Sequence, residues 1–402
     1  MIKIAIISPD AVPLKLKESV SSNKILNTIK DKCTRATSLG IRAWKISEQL
    51  SKYFSVTLFI PDINFPSIDL IEINKDFTFE SFSYENTLST YDIDLNDKLL
   101  NFDVVIIQSN SGNCFINCSR LPKRIIVIVD GWTIPYIELP LSLLRHEENF
   151  KKVFWNRFNK MYINLLKRSN CILYNADRHY YYYESLLLTI GENQWNKVNK
   201  SNLVKLRFGI DDNKKVEKKL SSKLKLLWYG PIYPWYSPQK IIDVVSLYPD
   251  KLELHLKAIR HPRFSNFYDK MFKTVLDPLK FSNIFIDEEY NDSHYLLYND
   301  YDAGILLAQD LLEERFALRA RVFDMLSYGF PVLTNENNAI FDEIRLIDSL
   351  YPINEQNLKK KLLFYYENKN SLTVSDKSFK QIKDNFLWEN NVLDLINYIQ
   401  LL

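Results

Sequence analysis

The stretch EERFALRARVFDMLSYGFPVLTN (residues 313–335) decides the class of fold that the chain adopts. Its first part is typical of a helix over residues 315–328, closed by a glycine–aromatic–proline turn. The apolar strand PVLTN, residues 331–335, follows at once. A helix that leads directly into a buried strand is half of an α/β unit, so we expect the rest of the chain to alternate in the same way.

Strand-like and helix-like segments alternate along both halves of the chain. Apolar runs typical of buried strands occupy residues 2–7, 55–61, 102–108, 124–130, 171–176, 223–230, 252–258, 283–288, 302–308 and 331–335. Segments with helical spacing lie between many of them. Strands that are apolar almost throughout indicate parallel sheets covered on both faces. The sequence therefore predicts an α/β protein with two doubly wound, Rossmann-like domains, whose carboxyl edges face a central cleft.

The boundary between the two predicted domains lies in a polar, lysine-rich stretch. Linkers between domains commonly have this composition. We expect an N-terminal domain over residues 1–208, a linker over 209–222 and a C-terminal domain over 223–380. From its residues alone, the amphipathic tail that ends the chain could pack on either domain.

Composition narrows the class of protein. The chain has 402 residues, 46% apolar and 25% charged, and a net charge of +3, which suits a soluble globular protein and not a dedicated nucleic-acid binder. No window reaches the roughly 18–20 apolar residues of a membrane span. Four scattered cysteines predict reduced thiols and no metal site. We therefore expect a cytoplasmic protein whose only membrane contact would be peripheral.

The opening stretch carries more charge than a core helix tolerates. Its apolar residues point nearly all round, so the helix should be buried, and buried charges need partners. Arg321 and Asp324 are three residues apart and can pair on one face, whereas Arg319 and Arg321 leave different faces. A nucleotide diphosphate and its ribose hydroxyls would supply partners, and a buried structural charge network is the alternative. Glu313 and Glu314 lie at the start of the helix, where negative charge is favoured.

A second candidate follows the strand that ends at Gly230. There the backbone can approach a ligand, and the next helix, with Ser237 as its N-cap, would favour a phosphate. Trp235 suggests a wall for a sugar or a base. The segment lacks the G-x-G-x-x-G pattern, so a nicotinamide dinucleotide is not indicated. A plain strand-to-helix turn is the alternative.

Two further candidates belong to the N-terminal domain. Asp130 ends a strand and would emerge at the carboxyl edge, where it could orient a hydroxyl or act as a base, or merely form a turn. Arg42 lies in the first turn of a helix, where a cation is mildly disfavoured, so it should have an anionic partner. A carboxylate of the same domain is the expected partner, and a phosphate is the alternative.

Together these segments resemble the GT-B glycosyltransferases, specifically the family 4 group of retaining enzymes that use nucleotide sugars. The resemblance covers nearly the whole chain and rests on SLGIRAWKISEQLSKYFSVTLFIPD (38–62), KLRFGIDD (205–212), LLWYGPIYPW (226–235), RARVFDMLSYGFPVLT (319–334) and FLWENNVLDLI (386–396). It implies that a terminal helix over residues 381–402 packs back on the N-terminal domain.

The resemblance also assigns roles to residues. Asp324 falls at the second carboxylate of the family's E-x7-E motif and would hold the ribose hydroxyls. Phe316 stands where the first would be, so Glu314 is the nearest candidate for that role. Arg319 and Arg321 are candidates for the diphosphate, and Asp130 takes the place of the family's catalytic histidine.

The activity implied is transfer of a sugar from a nucleotide-sugar donor to a hydroxyl of a glycan or lipid-linked acceptor. Retention of configuration, a role in bacterial cell-surface polysaccharide or glycoconjugate synthesis, and independence of metals and other cofactors are implied with it. Alternatives are an epimerase or inverting transferase of the same fold, or a non-catalytic partner subunit. The basic, aromatic segment 154–168 could touch an anionic bilayer, or be a core helix with solvated lysines.

Overall fold

A computed structural model describes residues 1–10, 12–13, 37–61, 76–82, 93–109, 116–142, 148–191, 202–218, 221–233, 235–259, 281–287, 298–344 and 348–402. The chain forms two compact units. Met1–Phe208 and Trp388–Leu402 make the first unit, and Gly209–Leu387 make the second.

The first unit contains a seven-stranded parallel sheet. Its strands are β1 (Lys3–Ile7), β2 (Ser55–Pro61), β3 (Thr78–Phe82), β4 (Val104–Gln108), β5 (Ile126–Gly131), β6 (Cys171–Tyr174) and β7 (Leu203–Lys205). They are arranged in the order β3-β2-β1-β4-β5-β6-β7. The order reverses between β1 and β4, so the sheet is doubly wound as predicted, and its carboxyl edge near these strands is the usual place for a ligand.

Helices cover this sheet. They are α1 (Ser38–Leu50), α2 (Ile93–Leu99), α3 (Pro135–Ser142), α4 (Glu148–Arg168) and α5 (Asp177–Thr189). The Thr37 hydroxyl caps α1 by accepting a hydrogen bond from the Gly40 N–H at 3.2 Å. In α4, Phe154, Phe158 and Tyr162 recur every four residues and are buried in the core. The aromatic face of this segment is therefore turned toward the sheet, as expected for the core helix that was one of the two alternatives.

The second unit contains a six-stranded parallel sheet. Its strands are β8 (Leu224–Pro231), β9 (Leu252–Ile259), β10 (Ile284–Asp287), β11 (Ala303–Leu306), β12 (Val332–Asn335) and β13 (Leu350–Ile353). They are arranged in the order β10-β9-β8-β11-β12-β13. The order reverses between β8 and β11, which again defines a doubly wound sheet with a switch point at its carboxyl edge.

One helix predicted in this unit is divided into two in the structure. They are α6 (Gln239–Val245), α7 (Leu312–Phe316), α8 (Ala320–Ser327), α9 (Ile340–Glu343), α10 (Leu358–Glu367) and α11 (Asp376–Phe386). The single helix predicted over residues 315–328 is wrong, because extended backbone at Ala317 and Arg319 separates α7 from α8. The break lets the Arg319 side chain reach the carboxylates of the preceding helix.

The end of the chain belongs to the first unit. Two short helices, α12 (Trp388–Asn391) and α13 (Leu393–Gln400), form this tail. The ring of Trp388 packs against Phe208 with 5.3 Å between centroids. The sequence placed the terminal helix at residues 381–402, whereas the boundary between units falls after Leu387. The segment 209–222, expected to be a linker, lies within the second unit, where the Val216 N–H bonds the Tyr328 carbonyl at 2.8 Å.

Two further observations concern the predictions from composition. Among the helices that the structure describes, none is both long and apolar enough to cross a bilayer. Cys118 and Cys171 are buried free thiols. Cys33 and Cys114 lie outside the described residues.

Candidate functional site

The strongest candidate site lies at the carboxyl edge of the second sheet, where β8 ends and α8 packs beside it. Gly230 has a φ of 113°, and a Cβ placed there would lie 2.4 Å from the Arg321 Cζ. The Arg321 guanidinium therefore rests on the backbone of residue 230. Its Cζ is 5.4 Å from the ring centroid of Trp228 and 4.7 Å from that of Tyr236. Such cation–π contacts hold a guanidinium in place.

Arg319 approaches the same tyrosine. Its Cζ is also 4.7 Å from the Tyr236 ring centroid. The prediction that Arg319 and Arg321 leave different faces of one helix is wrong, because Arg319 precedes α8 and its backbone is extended. Both guanidinium groups thus contact one buried ring.

The partners of Arg319 are carboxylates. Its Nη2 lies 2.7 Å from Glu313 Oε2, and its Nε donates to Glu314 Oε2 at 3.0 Å. The other oxygen of Glu314 accepts from the Asn338 side-chain amide at 2.7 Å. Burial raises the pKa of Glu314, and the nearby Glu313 carboxylate adds to the rise, whereas Arg319 opposes it. The arrangement is a buried charge network, the alternative that the sequence left open for these three residues.

This network bears on two predicted roles. A guanidinium shared by two carboxylates carries little net positive charge toward a phosphate. A carboxylate with both oxygens hydrogen-bonded has little capacity left to accept a proton or a substrate hydroxyl. The diphosphate role of Arg319 and the catalytic role of Glu314 stay predictions, and so does the diphosphate role of Arg321, which lies against the Gly230 backbone.

Asp324 is bonded differently from the expectation. Its Oδ2 accepts hydrogen bonds from the hydroxyls of Tyr229 at 2.5 Å and Tyr298 at 2.6 Å. The salt bridge that the spacing of Arg321 and Asp324 allows is therefore not formed, and two tyrosine contacts take its place. Sequence reasoning missed both tyrosines: Tyr229 lies directly before Gly230 in the quoted motif, whereas Tyr298 lies in a segment with no recognisable signal.

Trp235 lies in the tight turn between β8 and α6. The backbones of Tyr233 and Tyr236 exchange two hydrogen bonds of 3.1 Å across this turn. The half-buried Trp235 ring stacks on Tyr233, with centroids 5.2 Å apart and planes 11° apart. The helix starts at Gln239, two residues after the predicted N-cap, although the Ser237 hydroxyl still accepts from the Gln239 N–H at 3.2 Å. The role of Trp235 as a wall for a sugar or base stays a prediction.

In the first unit, the structure joins Asp130 and Arg42, which the sequence treated separately. Both oxygens of Asp130 accept from Arg42, each at 2.8 Å. Arg42 also donates to the carbonyls of Leu206 and Arg207 and lies 5.3 Å from the Trp132 ring centroid. The two charged side chains are 0% and 1% exposed. The partner of Arg42 is thus a carboxylate of its own unit, and the geometry favours a structural role for Asp130.

The comparisons with known proteins bear on the fold. No protein-family model matches the sequence, and no curated protein matches it. Solved structures do match over the full length. Sucrose-phosphate synthase (tll1590) from Thermosynechococcus elongatus is 11% identical with a TM-score of 0.70, over 100% of this chain and 99% of that one. Anabaena HepE, solved with UDP-glucose, is 12% identical with a TM-score of 0.63, over 100% of both chains.

A third similar structure is the lipopolysaccharide outer core galactosyltransferase WaaB. It is 10% identical with a TM-score of 0.57, and the match covers 99% of each chain. At this level of identity the likeness establishes the fold alone. Together with the two doubly wound sheets, it confirms that the chain has the GT-B fold.

Proposed function

We propose that the chain is a glycosyltransferase that moves a sugar from a nucleotide-sugar donor to a hydroxyl acceptor. The observation that carries the proposal is that Arg321 and Asp324 lie one helical turn apart at the carboxyl edge of the second sheet, each held by other residues and not by each other. A guanidinium is the natural partner of a diphosphate, and a carboxylate is the natural acceptor for ribose hydroxyls. The HepE structures with UDP and UDP-glucose support the same chemistry in a protein of this fold.

In the proposed reaction the diphosphate is the leaving group. As the glycosidic bond breaks, negative charge grows on the diphosphate, and Arg321 is held in advance against Gly230, Trp228 and Tyr236 to stabilise it. Asp324 orients the nucleoside through its ribose. In this proposal a cation of the chain stabilises the diphosphate, and we propose that neither a metal ion nor a further cofactor takes part.

The acceptor and the cellular role are a finer part of the proposal. We propose a glycan or lipid-linked acceptor, retention at the anomeric carbon and a cytoplasmic enzyme of cell-surface glycan synthesis. The likeness to a lipopolysaccharide galactosyltransferase supports this role. For peripheral membrane contact, α4 offers a polar face with exposed Lys152, Lys160 and Lys167 beside Val153, whose side chain is 70% exposed.

A second candidate function is a non-catalytic subunit with a nucleotide site. It is favoured by one observation: both predicted catalytic carboxylates, Asp130 and Glu314, have all their oxygens bonded within ion-pair networks. An epimerase or inverting transferase of the same fold has no comparable support.

Calorimetry with UDP, GDP, ADP and CDP tests the proposal first, followed by turnover assays with the corresponding nucleotide sugars. Binding of one nucleotide diphosphate and release of that nucleotide from its sugar are expected, and the anomeric configuration of the product decides retention. Binding without turnover of any donor would favour the non-catalytic subunit. Absence of nucleotide binding would overturn both functions.

A further inference from the structure

The two tyrosines that contact Asp324 both bond the same oxygen of its carboxylate. Tyr229 and Tyr298 both donate to Oδ2, at 2.5 and 2.6 Å. Within the described part of the chain, Oδ1 accepts no hydrogen bond, and the residue is only half-buried. One oxygen is thus saturated and the other is open to a ligand.

Both tyrosines are held firmly by the surrounding core. Tyr298 is 1% exposed, and its ring packs on Phe330 and Tyr328 at centroid distances of 4.8 and 5.2 Å. Tyr229 is part of β8 and is 8% exposed. Burial, together with the Asp324 charge, raises the pKa of Tyr298 well above its ordinary value, so its hydroxyl stays a donor. The position of Oδ2 is therefore fixed by rigid elements.

Asp324 has a competing partner within its own helix. Arg321 lies one turn earlier, at the spacing that favours a salt bridge on a helix face. Such a bridge would consume the carboxylate needed for a ribose and the cation needed for a diphosphate. In the structure the two tyrosines donate hydrogen bonds to Oδ2 of Asp324, whereas the Arg321 guanidinium packs on the rings of Trp228 and Tyr236.

We propose that Tyr229 and Tyr298 are positioning residues that hold Oδ2 of Asp324, keep this carboxylate away from Arg321 and direct Oδ1 to a ribose hydroxyl of the donor. The inference rests on the proposed function, because it assigns the ribose to Asp324. It makes the tyrosine pair a determinant of the preference for ribonucleotides over deoxyribonucleotides. A site built to bond a hydroxyl rejects the analogue that lacks it.

The test uses the full chain with Tyr229→Phe, Tyr298→Phe and the double variant, each alone and combined with Asp324→Ala. Calorimetry compares UDP, GDP, ADP and CDP with their 2′-deoxy and 3′-deoxy forms. We expect the double variant to bind the ribonucleotide about tenfold more weakly and to lose most of its discrimination against the deoxy form. In the Asp324→Ala background, the tyrosine substitutions should change neither quantity.

A matched control is Tyr351→Phe, which removes hydrogen bonds to the Ser371 and Thr373 carbonyls elsewhere in the same unit. It should leave the discrimination unchanged. Equal losses with and without the Asp324 carboxylate, or an unchanged preference for the ribonucleotide in the folded double variant, would overturn the inference while leaving the proposed function in place. Failure of the unmodified chain to bind any nucleotide would overturn the proposed function itself.

Discussion

The guanidinium of Arg321 fills the space that a side chain at Gly230 would need. A Cβ at residue 230 would lie 2.4 Å from Cζ and from Nε of Arg321. The sequence predicted that this glycine lets a ligand approach the backbone. The structure gives a more specific reason, since the glycine makes room for the cation that we assign to the diphosphate.

Gly230→Ala should therefore displace Arg321 and weaken binding of a nucleotide diphosphate by about tenfold or more. The matched control is Gly191→Ala, because Gly191 also has a positive φ, 143°, but a Cβ there would meet no described atom within 4 Å. Both variants bear backbone strain of about 1 kcal/mol, measurable by denaturation. Calorimetry should show a loss of affinity only at residue 230, and equal behaviour of the two variants would contradict the role of Arg321.

Replacing Asp324 tests the ribose assignment. Asp324→Ala should weaken nucleotide binding by about 1.5–3 kcal/mol, the usual size of hydrogen bonds to a charged group. Calorimetry measures the loss, and Asp250→Ala, at an exposed position of the same unit, serves as the control. Unchanged affinity in a folded Asp324→Ala protein would remove the assignment.

The buried ion pair between Arg42 and Asp130 leads us to expect that replacing Asp130 lowers the stability of the protein. Asp130→Ala leaves the Arg42 charge buried without its carboxylate, which should cost about 3–5 kcal/mol of the free energy of unfolding. Urea denaturation measures this cost. The exposed pair of Lys98 and Glu80, with side chains 46% and 48% exposed, is the control, since Glu80→Gln should change stability by under about 1 kcal/mol. A stable Asp130→Ala protein without turnover would instead support a catalytic Asp130.

His255 predicts a dependence of stability on pH. Burial lowers the pKa of His255 below its ordinary value of 6.5, and this outweighs the opposing Glu253 carboxylate. Below pH 6.5 the unfolded chain takes up a proton that the folded chain resists, so stability falls as the pH drops from 6.5 toward the folded pKa.

We expect His255→Gln to reduce the loss of unfolding free energy between about pH 7.5 and about pH 5.5. Glu253→Gln should enlarge the loss, because it removes the group that raises the pKa of His255. Urea denaturation at the two pH values measures this loss of unfolding free energy in the unmodified chain and in both variants. Identical losses in the unmodified chain and the His255→Gln variant would show that this histidine does not contribute.

The pattern of apolar residues in the sequence predicted most of the fold. Apolar runs identified ten of the thirteen strands that the structure describes, because a strand buried on both faces leaves a continuous signal. They did not mark β3, β7 and β13, which are edge strands and only partly buried. The break in the helix at residues 317–319 left no such signal. It goes with ion pairs of Arg319 to Glu313 and Glu314, and these contacts are visible only in the folded structure. For the site, the glycine–aromatic–proline turn singled out Asp324, and the strand ends singled out Gly230 and Asp130.

What the sequence did not show were the partners of these charges. The ion pair of Arg42 with Asp130 joins residues 88 positions apart, and the bond of Tyr298 to Asp324 spans 26 positions. No local pattern encodes such distances, because they depend on how strands are ordered in the sheet. Sequence analysis thus located the charged residues and predicted the kind of partner that Arg42 has, but it did not identify the partner residues.

The order of residues along the chain also sets the order in which its parts are completed during synthesis. The second unit is one continuous segment, Gly209–Leu387, and its described strands are synthesised before the tail. The first unit needs Trp388 against Phe208 and the buried Leu395, Ile396 and Ile399 of the final helix. On the ribosome, the part of the chain made first is therefore the last to finish its core, because that core is completed only by residues synthesised after the second unit.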